Sequence, residues 1–542
     1  MSTITKLNIT QIEDGRSNSK STKTPLSLSS DLIINATNCL SPTTDLHGRT
    51  YKDLIPYSSD MNITKTFLQA ILNMILKYIE ELNDHESPVI KNGLRTPNEY
   101  RQIFNFDIDQ KGVDLNEILY NTEQILQTSV RSGHPRFINQ LSQGLDMLSL
   151  AAEIITSTTN SNMFTYEVAP VYNCMEETVL RYMRELCGWK NGDGVLAPGG
   201  AVSNLYAVLT ARHYAYPDIK QRGVMNSPRT VMIISKHCHY SLKRAAALIG
   251  LGIDHVIEVN PDQTGRVRGQ DIENQICIAQ QQGLKVFFVG ITAGTTVLGA
   301  FDPIDEIAQI CQKYNIWLHV DGAWGGSALL SSKTKHLLNG LNKVDSFTWN
   351  PHKLMSVHLQ CSAILFNHPN ILMNVNEMSA GYLFQPDKHY EITLDTGDKT
   401  IQCGRHVDVL KLWLAWKGKG IDGYAEHVET LLENARFLYE KVKSKAPYFL
   451  TLMDPPFINV CFWYIPPSLQ NIDSTSLEYY NRLDKIAPKI KERMMTSGVM
   501  MVGYQRLDHY PNFFRAIVSN PATTKHDIEI MIEQIHMFGK DL

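Results

Sequence analysis

Three short stretches carry residue types able to do chemistry. Pro198-Gly199-Gly200-Ala201-Val202-Ser203-Asn204 is a glycine-rich turn that runs into a helical pattern from Leu205. The backbone N–H groups of such a turn, with the helix N-terminus behind it, suit an anion such as phosphate. Asp321 closes the apolar run Ile316–Asp321, which has the character of a buried strand. Asn350-Pro351-His352-Lys353 follows a second short strand pattern, Ser346–Trp349. Alone, each has an ordinary reading: a structural turn, a helix cap, a solvated lysine. In sequence they offer an anion cradle, a strand-end carboxylate and, about thirty residues later, a primary amine.

Such residues need a scaffold that sets strand ends side by side. Val286–Gly290, Pro303–Tyr314 and Ile316–Asp321 read as strand, helix, strand, with Pro opening the helix. A β-α-β order predicts a mostly parallel sheet with right-handed crossovers and helices on both faces. Ligands bind at the C-terminal ends of the strands in such sheets. Upstream, Phe67, Ala70, Ile71, Met74, Ile75, Tyr78, Ile79 and Leu82 have helical spacing, and Leu68, Leu72 and Leu76 widen the stripe. A stripe that wide is buried on two sides or lies in a subunit interface. Downstream, helices near Gly423–Lys445 and Ser476–Ser497 mix with strands at Asn459–Tyr464, Met500–Tyr504 and Phe513–Ser519. The expected organisation is a tail at 1–45, a helical segment at 46–130, a large α/β domain at 131–418 and a small α+β domain at 419–542. Residues 1–30 hold twelve Ser or Thr, too polar to offset their ordering entropy, so the tail is expected to be disordered.

Composition excludes several classes. Of 542 residues, 43% are hydrophobic and 20% charged, which is ordinary globular usage. The 51 basic and 55 acidic residues leave no polycationic footprint, so no nucleic-acid partner is expected. No stretch reads as a membrane span. The nine cysteines form no CxxC pair and the N-terminal residues hold no apolar run, so free thiols and a cytoplasmic location are expected.

Cradle, carboxylate and lysine in that order are what pyridoxal 5′-phosphate requires. The amine forms a Schiff base, the carboxylate keeps the pyridinium protonated, and the cradle holds the phosphate. The chain resembles the pyridoxal-phosphate-dependent decarboxylases of glutamate and cysteine sulfinate, and most closely the animal glutamate enzymes. The resemblance is carried by Gly133–Phe137 (GHPRF), Asn160–Pro170 (NSNMFTYEVAP), Gly192–Asn204, Ile291–Pro303 (ITAGTTVLGAFDP) and Leu318–Ser327 (LHVDGAWGGS). Trp349–Lys353, Gly381–Tyr390 (GYLFQPDKHY), Asp395–Trp416 and Asn512–Arg515 (NFFR) complete it. It implies an α/β fold of the fold-type I class, with the large domain, the N-terminal helical segment and the small domain outlined above. It also implies a homodimer with active sites at the subunit interface.

By this resemblance Lys353 is the Schiff-base lysine, Asp321 holds the pyridinium, Ala323 packs on the ring and His239 stacks on its other face. Val202, Ser203, Thr292, Asn350 and His352 surround the phosphate and the linkage. Arg515 anchors the substrate, Gln140, Leu141, Ser142, Asn162 and Phe164 line its distal end, and Tyr382 on a mobile loop protonates Cα after CO₂ departs. No metal is implied. Ser142, Asn162 and Phe164 resemble the glutamate enzyme, whereas cysteine sulfinate relatives carry a bulkier aromatic near Ser142 and Ser-Gln-Tyr in place of Asn162-Met163-Phe164. The expected reaction is therefore α-decarboxylation of L-glutamate to 4-aminobutanoate. The alternative within the family is cysteine sulfinate or aspartate, giving hypotaurine or β-alanine. Outside it stand an aminotransferase, which shares Lys, Asp and cradle, and a non-catalytic coenzyme-binding protein. Three positions depart from the pattern: Gly322 replaces Ala beside Asp321, removing a methyl near the ring, Gln143 replaces Thr, and Ile138 replaces an aromatic.

Overall fold

The computed structural model describes residues 46–108, 110–225 and 228–542; the tail expected at 1–45 lies outside them. Twelve strands occur among the described residues. In chain order these are β1 (Phe137–Ile138), β2 (Asp193–Ala197), β3 (Thr230–Ser235), β4 (Val256–Val259), β5 (Lys285–Thr292) and β6 (Trp317–Gly322). There follow β7 (Ser346–Trp349), β8 (Ser362–Phe366), β9 (Phe449–Thr451), β10 (Asn459–Tyr464), β11 (Met501–Leu507) and β12 (Tyr510–Ile517).

The large sheet has the order β2-β8-β7-β6-β5-β3-β4. It is parallel except for β8, which runs against both β2 and β7. Both faces are covered, so its strands are apolar throughout rather than alternating. On one face Met232, Ile234 and Phe288 pack with Tyr206, Ala207 and Leu242 from helices Gly200–Ala215 and Ser241–Leu248. On the other, Val231, Ile233, Val289, Leu318 and Val320 meet Ile272, Ile276 and Ile307 from helices Gly269–Gln281 and Ile304–Tyr314. The period of two along β6 therefore turns Trp317, His319 and Asp321 toward helix Gly200–Ala215 and its glycine-rich start.

A second sheet, β1-β11-β12-β10-β9, is antiparallel except for the β1–β11 pair. Helices Leu477–Ser497 and Lys525–Gly539 pack on it. The span Asp408–Ser444 is two helices broken at Gly420, where φ is +66°. The predicted N-terminal helix runs over Met61–Asn83. One face contributes Ala70, with Phe67 and Met74 beside it, to a small core with Leu115 and Leu119. Leu68, Leu72 and Leu76 on its outer side are exposed. No helix among the described residues is long and apolar enough to cross a membrane.

Candidate active site

The C-terminal ends of β5, β6 and β7 converge on a cavity of about 180 Å³. His239, Thr292, Asp321, Ala323, Asn350, His352 and Lys353 all line it. Strand register explains the meeting, because Thr292 pairs with Asp321 across β5–β6 and Asp321 with Thr348 across β6–β7. Asp321 is buried; its Oδ1 accepts the Ala323 N–H at 3.0 Å and its Oδ2 accepts the Asn204 amide at 2.8 Å.

The Lys353 backbone N–H donates to the Asn350 carbonyl at 3.0 Å, while its side-chain amine makes no hydrogen bond or ion pair among the described residues. Burial pushes its amine below the ordinary lysine value and the Arg515 charge adds to this, while Asp321 opposes. Burial also lowers His239 and brings His352 down to about 4, so both rings are neutral near pH 7. His352 Nδ1 accepts the Cys361 N–H at 3.1 Å. His237 and His239 point apart: His237 Nε2 meets Asp508 at 2.8 Å, and His239 Nδ1 meets the Ser241 hydroxyl at 2.8 Å.

The glycine-rich turn reaches the cavity with Gly200 and Ala201, at the start of its helix. A Cβ at Gly200 would lie 2.8 Å from Asn350 Nδ2, so this close approach needs glycine. The expected contacts of Val202 and Ser203 are different. Ser203 Oγ is tied to Ser362 Oγ at 2.7 Å, and Val202 packs against the apolar core behind the turn. Neither side chain lines the cavity, because the helix start presents backbone there instead.

These residues fit pyridoxal phosphate. The Thr292 hydroxyl is buried without a partner, and Lys353 lines the same cavity. Asp321 keeps acceptor capacity, and the first N–H groups of helix Gly200–Ala215 form a cradle.

The residues expected around substrate are dispersed in the single chain. Arg515 is buried on β12 and donates to the Thr296 carbonyl, which lines the cavity, at 2.9 Å. Its Nε has no partner. Ser142 Oγ donates to the His352 carbonyl at 2.6 Å, and Gln140 to the Ser142 carbonyl at 3.1 Å. Leu141 is buried in the core. Asn162 accepts the N–H groups of Phe164 and Arg405, and the Phe164 carbonyl accepts from Gly397. Tyr382 is 81% exposed and borders another groove, beside Leu209 and Ile401. Its segment is held to the chain's own outer face, with the N–H groups of Met378 and Ser379 on Asp398.

Gln143 donates to the Ile517 carbonyl and the Ser519 hydroxyl, tying its segment to the small sheet. The methyl missing at Gly322 leaves no gap: a Cβ there would sit 2.2 Å from the Phe347 ring. Missed from sequence were Thr296, Trp324 and a buried polar set around Asn204. Polar residues at alternate positions of otherwise apolar strands, His319 with Asp321 and Ser346 with Thr348, were the available signal.

Comparisons with known proteins agree with this chemistry. Residues 97–465 match the pyridoxal-dependent decarboxylase conserved domain. Mouse cysteine sulfinate decarboxylase is 44% identical with a TM-score of 0.86, covering 88% of this chain and 99% of that one. Its apo form gives 43% and 0.85 over the same shares. A rice TDC structure with pyridoxal phosphate and tryptamine shares the fold at 19% identity and a TM-score of 0.79, over 89% of this chain and 98% of that one.

The likeness to the mouse enzyme corrects the expected kinship with glutamate decarboxylase, and with it the expectation of glutamate as substrate. The physical reason lies in the positions that suggested glutamate. Ser142 is bonded to a backbone carbonyl, while Asn162 and Phe164 pack on residues 396–405; none of the three lines the cavity. The chain belongs to the pyridoxal-dependent decarboxylase family, carboxy-lyases of the fold-type I α/β class that work through pyridoxal phosphate.

Proposed function

We propose that this enzyme α-decarboxylates a short acidic L-amino acid of the cysteine sulfinate type, with L-aspartate as the carboxylate analogue. The products would be hypotaurine or β-alanine and CO₂. The observation that carries this reading is 44% identity to mouse cysteine sulfinate decarboxylase over nearly the whole of that chain.

Lys353 would tether the coenzyme, Asp321 would hold its ring nitrogen protonated, and His239 and Ala323 would flank the ring. Thr292, Asn350, His352 and the amides of Gly200 and Ala201 would take its polar groups. The bound coenzyme supplies an electron sink for the pair left on Cα when the carboxylate departs. Arg515 stays charged at any working pH and binds a carboxylate bidentately, so it would fix the substrate's acid group. Tyr382 would deliver a proton to Cα from a closed loop that excludes water.

In its own chain Tyr382 lies on the outside, so the reading includes a homodimer in which this loop serves the partner's cavity. The exposed rows Leu68, Leu72, Leu76 and Met147, Ile154, Ile155 supply apolar surface for such an interface. A monomer in sedimentation at assay concentration would remove this part.

The substrate test is kcat/KM for L-cysteine sulfinate, L-aspartate and L-glutamate, with CO₂ as readout. One methylene in a pocket is worth about 1–3 kcal/mol, so the expected preference over glutamate is about 10- to 200-fold. Faster turnover of glutamate would overturn the assignment, and α-keto acid in place of CO₂ would overturn the reaction class.

A further inference from the structure

Asn204 lies in the first turn of helix Gly200–Ala215, fully buried, and all its polar capacity is used. Its Oδ1 accepts from Thr348 Oγ1 at 2.9 Å and meets His319 Nε2 at 3.1 Å. Its Nδ2 donates to Asp321 Oδ2 and to Ser241 Oγ, both at 2.8 Å.

Proton positions in this set are fixed from the Asp321 and Ser241 side. At the far side the Trp317 indole N–H donates to Ser346 Oγ at 2.9 Å, and that hydroxyl, 2.9 Å from His319 Nδ1, is free to take either role toward it. Burial holds His319 neutral, with its pKa down at about 4, so the ring carries a single proton. On the near side the backbone N–H of Ser241 faces His239 Nδ1 at 3.3 Å, so Nδ1 is an acceptor. The Ser241 hydroxyl donates to that same nitrogen and is left to accept from Asn204.

The Asp321 carboxylate and the Ser241 oxygen, both acceptors, demand one orientation of the Asn204 amide, and its Oδ1 then draws the single His319 proton to Nε2. Turning it over would set its oxygen against both acceptors. Each mismatch leaves a buried polar group unsatisfied, so no second arrangement competes.

We propose that Asn204 is the positioning residue of the cavity floor: it aims the Asp321 carboxylate and, by donating to Ser241 Oγ, turns that hydroxyl's proton onto His239 Nδ1. The Nε2–H of His239 has no partner among the described residues and is then that ring's one donor toward the cavity. One side chain thereby sets the two groups that would meet the coenzyme at its ring nitrogen and on its flat side. This deepens the proposed reading and rests on its coenzyme assignment, not on the identity of the amino acid.

The test uses apoprotein and two readouts that need no turnover. These are pyridoxal phosphate affinity by equilibrium dialysis and ¹⁵N NMR of the His239 ring, assigned by comparison with His239→Gln. Wild-type protein should show Nδ1 unprotonated and Nε2 protonated. Asn204→Leu, close in size but without polar atoms, should weaken coenzyme binding about 10- to 100-fold, the scale for a supporting partner of a bound group, and should move the His239 Nδ1 resonance as the Ser241 hydroxyl loses its fixed direction. Should that variant fail to fold, Thr348→Val removes one donor to Oδ1. It should weaken binding about 2- to 10-fold, the worth of one hydrogen bond. Protonated Nδ1 in the wild-type spectrum would overturn the proposal, as would unchanged affinity and an unmoved Nδ1 resonance in Asn204→Leu, or unchanged affinity in Thr348→Val. Wild-type apoprotein that takes up no pyridoxal phosphate would instead overturn the coenzyme reading.

Discussion

On the floor of the cavity, Asp321, His319, Asn204, Ser241 and Thr348 are buried and joined by hydrogen bonds within one chain. The residues expected around substrate stand apart from it: Tyr382 is exposed on another groove, Arg515 holds a backbone carbonyl, and Ser142 and Asn162 are bonded to main chain. The floor stands on strand ends whose register leaves one arrangement. The second group comes from the small sheet, from loops and, in the proposed dimer, from a second copy. Under the proposed function, the contrast assigns binding the coenzyme and selecting the substrate to different parts of the molecule. They should fail separately.

Replacing Lys353 with Ala should have the largest effect. Turnover should fall by about 10⁴-fold or more, the scale for loss of a covalent-catalysis residue, and the coenzyme's visible Schiff-base absorption should vanish. Product at wild-type rate would remove Lys353 from the floor. Tyr382→Phe should cost about 10²- to 10⁴-fold in kcat, as for a general acid, while apoprotein affinity for pyridoxal phosphate stays at the wild-type value. A parallel loss of coenzyme would erase the boundary between the two regions. Arg515→Lys should raise KM about 10- to 100-fold through loss of charge-assisted bonds, with a smaller change in kcat. A kcat defect alone would place Arg515 with the floor.

Gly322→Ala should lower stability by about 1–3 kcal/mol, because the new methyl meets the Phe347 ring. Thermal melting checks this, and an unchanged Tm would mean that the floor yields more readily than its packing implies. Acid should loosen the same region. His319 and His352 have folded pKa values near 4 against 6.5 when unfolded, so the unfolded chain binds more protons between those values. Their contribution is complete above pH 6.5 and is lost as pH falls toward about 4, by up to about 1.4 kcal/mol per unit for each ring. Urea midpoints of apoprotein that stay flat over this window would contradict it. His352→Gln should make the slope shallower.

Legibility from sequence followed the same division. Strands Ser346–Trp349 and Asn459–Tyr464 occur as read, because unbroken apolar runs between turn residues leave few alternatives. The helix expected near Gly423–Lys445 is the second half of the span Asp408–Ser444, starting just after the break at Gly420, while the half before the break was not read because the apolar pattern does not mark it. Lys353 and Asp321 could be singled out by residue type and order and His239 by the family resemblance alone, and the chain brings all three to one cavity. Asn204 stood inside the quoted turn without a role, because its partners Thr348, His319 and Ser241 lie 37 to 144 residues away. Substrate choice was least legible. Ser142 and Asn162 are suggestive types, yet only three-dimensional placement reveals that their side chains serve the backbone.

The two-residue strand β1 has a reach beyond its size. It fastens Phe137 and Ile138 to Met501 and Val502, and Gln143 just beyond it grips Ile517 and Ser519. The stretch from Gln140 to Ser142 is thus moored at both ends to the small sheet while it leans on the His352 carbonyl. Any shift of that sheet is therefore passed through Ser142 to the main chain one residue before Lys353. Substitutions beneath β11 and β12, remote in sequence from the strand-end cluster, thus have a mechanical route to the cavity.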